Sequence, residues 1–270
     1  MVELFERGGV QLAFEDYGGA GDPVTLVHGG WDDHGTWDRV VAGLSVALQV
    51  LTYDRREHGA SSGPPRAHPV RDDASDLAAL LEETGHFPTH VVGHSYGGAV
   101  ALRLAVDRPE LVRSVTVHEV PFVGLLRSGA AVSERLQRAR ELALGPTPEA
   151  GARDYLALFA SAEEQWSTLD AASRRALGAA ASTWAKEMAD PEALRPASEE
   201  LEAIAVPVLA TSGSRSPPFA AEIEEALVTA LPNATAARLR DVGHFVQRTD
   251  PDLFVGVLGT FLLERNVPST

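Results

Sequence analysis

A serine flanked by two glycines is the first feature of this sequence that points to chemistry. The segment Gly93-His94-Ser95-Tyr96-Gly97 has the form G-x-S-x-G. It lies between an apolar run that ends at Val92 and a helical pattern that begins at Ala99. In a strand–turn–helix setting this motif makes a sharp turn that exposes the serine hydroxyl. We therefore predict Ser95 as a nucleophile.

A serine hydroxyl reacts poorly until a neighbouring base accepts its proton, and histidine is a common base. The best placed of the nine histidines is His244, because the segment Asp241-Val242-Gly243-His244-Phe245 lies between the last predicted strand and the last predicted helix. A loop at that point reaches the same carboxyl edge of a parallel sheet as Ser95. We predict His244 as the base, and we expect the side chain of His94 to point away from the site.

The composition removes several alternative chemistries. The chain has 270 residues, of which 44% are hydrophobic and 23% are charged, as in globular proteins that need no disulfide or metal to hold their core. No cysteine is present, so a thiol nucleophile and a cysteine-ligated zinc are excluded. The sequence contains no H-E-x-x-H metal motif. We therefore expect neither a metal nor another cofactor.

Charge and hydropathy define the partners that we expect. The formal net charge of -15 disfavours nucleic acid and anionic membranes as partners. No apolar run reaches the length of about 18 residues that a membrane span needs, and the first residues, Met-Val-Glu-Leu-Phe-Glu-Arg, lack the features of a signal peptide. We expect a cytoplasmic protein that acts on a small-molecule substrate. The sequence leaves the formation of a homo-oligomer open.

Short apolar runs alternate with helical patterns over the first half of the chain. Because apolar strands separated by helices are typical of a parallel sheet covered on both faces, we predict an α/β fold. The predicted strands are 11–17, 24–27, 50–53, 89–92 and 111–117, and the predicted helices between them are 36–48, 70–84 and 99–106. The same pattern resumes late in the chain, with strands at 207–211 and 234–239 and helices at 219–230 and 253–263.

The segment between these two parts has a different pattern. Residues 122–201 are rich in Ala, Leu, Glu and Arg at helical spacing and contain no convincing strand. An all-helical insert in a parallel-sheet protein is expected to cover the carboxyl edge of the sheet, where such sheets bind ligands. We therefore predict one domain, with a core of residues 1–121 and 202–270 and a helical lid of residues 122–201.

Two further segments, taken together with the serine motif, resemble the α/β-hydrolase superfamily. His28-Gly29-Gly30-Trp31 is similar to the oxyanion loop of that family, and residues 54–61, Asp-Arg-Arg-Glu-His-Gly-Ala-Ser, are similar to its D-x-R-G-x-G-x-S turn. Glu57 stands where glycine is usual in that turn. The resemblance covers nearly the whole chain outside the lid. It implies a mostly parallel sheet with helices on both faces and a helical lid inserted after the sixth strand.

The resemblance also implies an oxyanion hole. Its two donors would be the backbone N–H groups of Tyr96, directly after the nucleophile, and of Gly30, with Trp31 as the alternative to Gly30. In a comparable site each such donor contributes about 3–4 kcal/mol of transition-state stabilisation.

The acid of the expected catalytic triad departs from the commonest pattern of the family. Most members carry an aspartate after the strand that is 207–211 here, but Ser216 occupies that position, and a hydroxyl cannot stabilise the imidazolium that forms on His244. In some members a glutamate after the preceding strand takes this role. We predict Glu119, which stands there, as the acid, against the alternatives that it pairs with an arginine at the lid hinge or faces solvent. Asp241 is expected to shape the loop of His244 instead.

Local similarity and the lid residues indicate the class of substrate. The segment His118-Glu119-Val120-Pro121 is similar to a His-Glu-Leu-Pro stretch of fungal zearalenone lactonases, which open a macrocyclic ester. Pockets under such lids are mostly apolar. The residues that we expect to contact the substrate are Trp31, Phe159, Trp166, Trp184 and Met188. No basic cluster accompanies the lid aromatics, which favours a neutral substrate.

The leading hypothesis is the hydrolysis of a neutral, fairly hydrophobic carboxylic ester or lactone through an acyl-enzyme. Two alternatives stay open at this point: an enzyme of the same fold that cleaves C–C bonds or performs cofactor-free oxygenation, and a non-catalytic small-molecule receptor. Dehalogenases and epoxide hydrolases of this superfamily need a carboxylate as nucleophile, so Ser95 argues against both.

Overall fold

A single sheet of eight strands runs through the part of the chain that the computed structural model describes, which is residues 1–64, 69–158, 166 and 170–263. The strands are β1 Glu3–Arg7, β2 Val10–Asp16, β3 Pro23–Val27, β4 Gln49–Tyr53, β5 Thr89–His94, β6 Val112–His118, β7 Val208–Gly213 and β8 Ala234–Leu239. Their order across the sheet is β1-β2-β4-β3-β5-β6-β7-β8. β2 is antiparallel to β1 and to β4, whereas the remaining neighbours are parallel.

The central strands are buried on both sides. Every residue of β5 and of β7 is buried, and all but one residue of β6. Valine and threonine are frequent in these strands, and such β-branched side chains suit a pleated, covered surface. Because parallel strands end at the same edge of the sheet, the loops after β3, β5, β6 and β8 meet there. Those loops carry Gly30, Ser95, Glu119 and His244.

Helices cover both faces of the sheet. The α-helices are α1 Asp38–Leu44, α2 Val70–Thr84, α3 Tyr96–Asp107, α4 Ala130–Ala143, α5 Pro148–Leu156, α6 Ala171–Glu187, α7 Pro191–Leu194, α8 Ser198–Glu202, α9 Pro218–Ala230, α10 Val246–Thr249 and α11 Pro251–Leu263. Short 3-10 helices occur at His34–Trp37, Pro109–Leu111 and Val123–Leu125. One apolar core includes residues of α2, α3 and α9, and a second includes residues of α1 and α11. Two separate cores of this kind are expected when a sheet has a helical layer on each face.

The chain between β6 and β7 is helical where the structure describes it. We call residues 122–201 the lid segment. Its helices α4, α5 and α6 pack against one another, and Trp184 on α6 is only 1% exposed. Within the described ranges, none of the helices is both long and apolar enough to cross a membrane.

The sheet has one strand that the sequence did not predict. Glu3–Arg7 pairs antiparallel with β2 and forms the edge of the sheet, where most of its side chains are exposed. An exposed edge strand needs no apolar run, and charged side chains are common on such edges. Its sequence, Glu-Leu-Phe-Glu-Arg, therefore lacks the buried-strand pattern that marks β3 to β6.

Candidate active site

Ser95 lies at the turn between β5 and α3 in a strained backbone conformation. Its φ of 51° is one that residues other than glycine rarely adopt. The turn is tight, since a Cβ on Gly93 would lie 2.3 Å from the Gly97 carbonyl oxygen and a Cβ on Gly97 would lie 2.3 Å from that of Val27. Glycine is thus required on both sides of the serine. The side chain of Ser95 lines a cavity at the carboxyl edge of the sheet.

Glu119 follows β6 and contacts His244 directly. The Oε2 atom of Glu119 lies 2.9 Å from Nδ1 of His244, and both side chains are 3% exposed. Glu119 has a φ of 50°, so a second strained turn occurs at the end of the strand next to that of Ser95. The contact between Glu119 and His244 that the sequence predicts is present in the structure.

The carboxyl group of Glu119 is held as an anion. Its Oε1 atom accepts a hydrogen bond of 2.8 Å from the backbone N–H of Gly213. Burial raises the pKa of Glu119, but the hydrogen bond with His244 is the largest opposing cause and the pKa is lowered to about 2. An ionised carboxylate at Nδ1 selects the tautomer of His244 that carries its proton there, which leaves Nε2 as the basic nitrogen.

Neither of the other two positions considered for the acid presents a carboxylate to His244. Ser216 follows β7, and the end of that strand supplies the Gly213 N–H to Glu119 rather than a carboxylate. The side chain of Asp241 is 73% exposed and lies 3.7 Å from the guanidinium of Arg215. The carboxylate that contacts the His244 ring is therefore that of Glu119.

Two buried histidines hold the loop that carries His244. Nε2 of His94 donates a hydrogen bond of 2.8 Å to the His244 carbonyl oxygen, and Nε2 of His118 lies 3.2 Å from the Gly243 carbonyl oxygen. Burial lowers the pKa of both His94 and His118, which keeps the two rings neutral. The His94 ring centroid is 4.6 Å from that of His244. His94 is not among the residues that line the cavity of Ser95, and its ring instead supports the backbone of the His244 loop.

Ser95, Glu119 and His244 line one cavity. Gly30 and Tyr96, the expected oxyanion donors, belong to the same wall. The rest of the lining is apolar or aromatic and includes Val120, Leu136, Leu158, Met188, Phe219 and Ile223. No lysine or arginine among the described residues lines this cavity. In the same ranges, no group of three or more His, Cys, Asp or Glu side chains is arranged to hold a metal ion.

Two of the five expected substrate contacts belong to the cavity wall. Trp184 on α6 and Met188 just after it both line the cavity. Phe159 lies outside the residues that the structure describes.

The structure does not place Trp31 or Trp166 at this cavity. The Trp31 ring packs against Trp184, with the ring centroids 4.9 Å apart, and borders a separate cavity. The ring of Trp166 packs against the guanidinium of Arg174 at 5.7 Å instead. Both aromatic side chains thus pack against other residues of the protein. The spacing of aromatic residues in the sequence cannot distinguish such packing from contact with a substrate.

Tyr155 is a cavity residue that the sequence did not distinguish from the other lid aromatics. Its ring packs against both Trp31 and Trp184, at centroid distances of 5.5 and 4.8 Å, and its hydroxyl forms a hydrogen bond with Ser95. Burial raises the pKa of Tyr155, so this hydroxyl stays neutral. No local sequence motif indicates such a residue, because Tyr155 lies next to Ser95 only through the packing of α5 in the folded protein.

The sequence of the chain matches the model of a known protein family. The sequence model of the alpha/beta hydrolase fold family matches residues 22–251. The chain belongs to this family. The matched part of this α/β-hydrolase includes Ser95, Glu119 and His244, and it extends over the sheet from β3 to β8 and the whole lid segment.

Curated relatives of this α/β-hydrolase have several activities in their names. Lipase LipV of Mycobacterium tuberculosis is 38% identical over 128 residues, which cover 46% of each protein. The soluble epoxide hydrolase of a Corynebacterium species is 31% identical over 111 residues, which cover 41% of this chain and 38% of that protein. The chain thus spans less than half of the length of these two relatives. The hydrolase names support an enzyme, and the variety of activities leaves the substrate to be argued from the site.

A solved structure extends the likeness over the whole fold. The enol-lactonase from Burkholderia xenovorans LB400 superposes with a TM-score of 0.79 over 97% of this chain and 100% of that chain, at 22% sequence identity. At this identity the likeness shows the fold of the α/β-hydrolase.

Proposed function

We propose that this protein is a serine hydrolase that cleaves a neutral, hydrophobic carboxylic ester or lactone through an acyl-enzyme. The observation that carries the proposal is the 2.9 Å contact between Glu119 and His244 at the wall of the cavity that also contains Ser95. A carboxylate, an imidazole and a hydroxyl at one site can act together to move the serine proton. The expected partner is a small molecule that enters this cavity.

In the first half-reaction, Nε2 of His244 accepts the hydroxyl proton of Ser95 while Oγ attacks the carbonyl carbon of the ester. A C–O bond forms, and the carbonyl oxygen becomes an oxyanion. The ionised Glu119 stabilises the imidazolium that results. When the tetrahedral intermediate collapses, the imidazolium returns its proton to the leaving alkoxide and the acyl group stays on Ser95.

The proposed oxyanion donors are the backbone N–H groups of Gly30 and Tyr96. Tyr96 is the first residue of α3, where the N–H groups have no partner within the helix and the helix dipole favours negative charge. Both residues line the cavity beside Ser95. Each donor of this kind contributes about 3–4 kcal/mol at the transition state.

The second half-reaction returns the enzyme to its starting state. A water molecule attacks the acyl carbon while Nε2 of His244 accepts its proton, and the same proton then passes to Oγ of Ser95 as the acyl–oxygen bond breaks. The products are a carboxylic acid and, from the first half-reaction, an alcohol. A lactone gives both groups on one molecule.

The lining of the cavity supports a neutral, hydrophobic substrate. Apart from Ser95, Glu119 and His244, the polar groups at its wall are few, and a charged substrate group buried there would lack a partner. The formal net charge of -15 further disfavours anionic substrates. The lipase and the enol-lactonase among the similar proteins are consistent with ester and lactone chemistry.

The proposal is tested by a screen of purified protein against p-nitrophenyl esters from acetyl to decanoyl and against lactones of graded ring size. We expect turnover that favours the longer neutral esters or the larger lactones, and no turnover by Ser95→Ala. Ligand binding without any turnover or fluorophosphonate labelling would indicate the receptor alternative. Labelling of Ser95 without hydrolysis of any ester or lactone would favour the alternative of C–C bond chemistry.

The lid segment is expected to control which acyl chains fit. Met188→Ala should widen the cavity wall and raise the preference for bulky over acetyl esters, measured as the ratio of their kcat/KM values, by about tenfold, because one or two methylene groups in an apolar pocket have effects of this order. The labelling rate with a small fluorophosphonate should stay within about threefold, since Met188 lies outside the proton-transfer chain. Leu144→Ala, at an exposed lid position, is the matched control and should change neither value. An unchanged ratio in Met188→Ala would contradict this role of the lid.

A further inference from the structure

A second buried polar cluster lies behind residues 28–31, which we call the oxyanion loop. Its centre is the guanidinium of Arg55, whose side chain is completely buried. Arg55 forms an ion pair of 2.5 Å with Glu187, at the end of α6, and one of 3.3 Å with Asp73 on α2. Buried charges are costly unless they are paired and hydrogen-bonded. The cluster takes no part in the proton transfers described above, so its position requires a separate explanation.

Arg55 binds the main chain of the oxyanion loop. Its Nε donates a hydrogen bond of 3.1 Å to the His28 carbonyl oxygen, and its Nη2 donates one of 3.0 Å to the Gly29 carbonyl oxygen. The C=O and the following N–H of a planar trans peptide point in opposite directions. A Gly29 carbonyl held toward Arg55 therefore turns the N–H of Gly30 to the other side of the loop, and Gly30 is the loop residue that lines the catalytic cavity.

The same guanidinium also supports the second oxyanion residue. The Cζ atom of Arg55 lies 4.7 Å from the centroid of the Tyr96 ring, which is within the range of a cation–π contact. Tyr96 begins α3 and supplies the other proposed N–H donor. One buried side chain thus contacts both elements from which the two donors come.

The lid segment supplies the counter-charge and packs on the loop. A Cβ on Gly30 would lie 2.7 Å from Oε2 of Glu187 and 2.8 Å from Cδ1 of Trp184, so α6 packs directly against this glycine. Lys186, next to Glu187, pairs with Glu57 at 3.1 Å. Glu57 has a φ of 59° at the position where the family usually has glycine. Two adjacent lid residues therefore fasten the turn that carries Arg55.

We propose that Arg55 is a positioning residue of the oxyanion hole and that Glu187 of the lid segment holds it in place. In this arrangement the lid does more than enclose substrate. The Gly30 N–H is oriented for catalysis only while the carboxylate of Glu187, on α6, holds Arg55 against the oxyanion loop. Arg55 does not line the catalytic cavity. The inference rests on the proposed function, since an oxyanion hole matters only if an oxyanion forms.

The test replaces the charged cluster by uncharged side chains in a variant with Arg55→Met, Asp73→Asn and Glu187→Met. Folded proteins often tolerate the replacement of a buried ion pair by apolar groups, and no charge is left unpaired here. The kcat for p-nitrophenyl butyrate should fall about 10²-fold, the order found for the loss of one oxyanion donor, while KM stays within about threefold. The affinity for an aryl trifluoromethyl ketone, whose adduct with Ser95 places an oxyanion in the hole, should fall by the same factor as kcat/KM.

The matched control is Arg56→Met with Asp76→Leu. It removes the ion pairs of the next arginine with Asp76 at 2.7 Å and with Asp72 at 3.2 Å, both on α2, and the Arg56 side chain contacts none of the oxyanion-loop carbonyls. We expect its kcat and its ketone affinity to stay within about twofold of wild type. A purely structural role of the Arg55 cluster would lower the melting temperature of the triple variant without moving the ketone affinity.

A folded triple variant with wild-type kcat and wild-type ketone affinity would overturn the proposal. Should that variant not fold, Arg55→Lys decides the matter, because it keeps the charge but loses the planar fork that reaches two carbonyls. A drop of about tenfold in kcat and in ketone affinity is then expected, and wild-type values would overturn the proposal. If the wild-type enzyme shows no ester turnover that depends on Ser95, the proposed function fails and this inference fails with it.

Discussion

Replacement of Ser95 by alanine is expected to abolish ester hydrolysis and to leave the fold intact. In a comparable serine hydrolase the loss of the nucleophile lowers kcat by about 10⁶, so the residual rate should be at the limit of detection. Alanine is smaller than serine, and the substitution leaves unchanged the two glycines that the tight turn requires, Gly93 and Gly97. The measurements are p-nitrophenyl ester turnover, fluorophosphonate labelling and the circular dichroism spectrum, and only the last should be unchanged.

The same experiment has an internal consistency check. His244→Ala should lose about as much activity as Ser95→Ala, and the double variant should be no worse than either, because triad members act as a unit. Ser214→Ala is the matched control. Its hydroxyl accepts a hydrogen bond from the backbone N–H of Asp241, in an exposed loop of the same region. A Ser95→Ala variant with turnover near wild type would contradict the assignment of the nucleophile.

Replacement of Glu119 by glutamine is expected to lower kcat by about 10³–10⁴. The equivalent change of the acid in a serine protease has an effect of about 10⁴, because the histidine loses the carboxylate that selects its tautomer and stabilises its charge. Glutamine has nearly the same shape as glutamate, so its amide oxygen can still accept from the Gly213 N–H. Its amide nitrogen then faces Nδ1 of His244, where an acceptor is needed. The loss should be in kcat, with KM within about threefold.

Two other variants separate this role from the alternatives for the acid. Ser216→Ala and Asp241→Asn should each cost less than about tenfold in kcat, since neither residue presents a carboxylate to His244. If Asp241→Asn were the damaging change and Glu119→Gln were not, the acid would be misassigned.

The elements with strong local signals were predicted closely. The helix Val70–Thr84 has the predicted bounds, because Pro69 precedes it and Gly85, with a φ of 67°, ends it. The strand Ala234–Leu239 also has its predicted bounds. The unpredicted strand Glu3–Arg7 has no such signal, since its pairing with β2 rather than its own composition determines it.

The position of Glu119 could be inferred from the topology of a parallel sheet. His94 at the end of β5 is in register with His118 at the end of β6. The next residues, Ser95 and Glu119, therefore leave the sheet side by side, each with a positive φ. An acid after β6 can then reach the same histidine as a serine after β5, in agreement with the family members that carry their acid at this place.

The contacts of the lid segment could not be predicted in the same way. Arg55 and Glu187 are 132 positions apart, and nothing in the local sequence of either residue indicates the other. Tyr155 stands in a helical pattern like the remaining lid aromatics, and only the docking of α5 distinguishes it. Such contacts depend on how the helices dock. The sequence of a helix indicates which of its faces is buried, but it does not indicate which element packs against that face.

The most direct test of the central claim is to trap the acyl-enzyme and locate the acyl group. Wild-type protein is mixed with p-nitrophenyl butyrate, quenched in acid within the first turnover, digested, and its peptides are weighed by mass spectrometry. The account predicts a butyryl group on the peptide that carries Ser95, formed in step with a burst of nitrophenolate and absent from Ser95→Ala. Sustained hydrolysis with no acyl group on Ser95 at any quench time, including in the slowed Glu119→Gln variant, would contradict it.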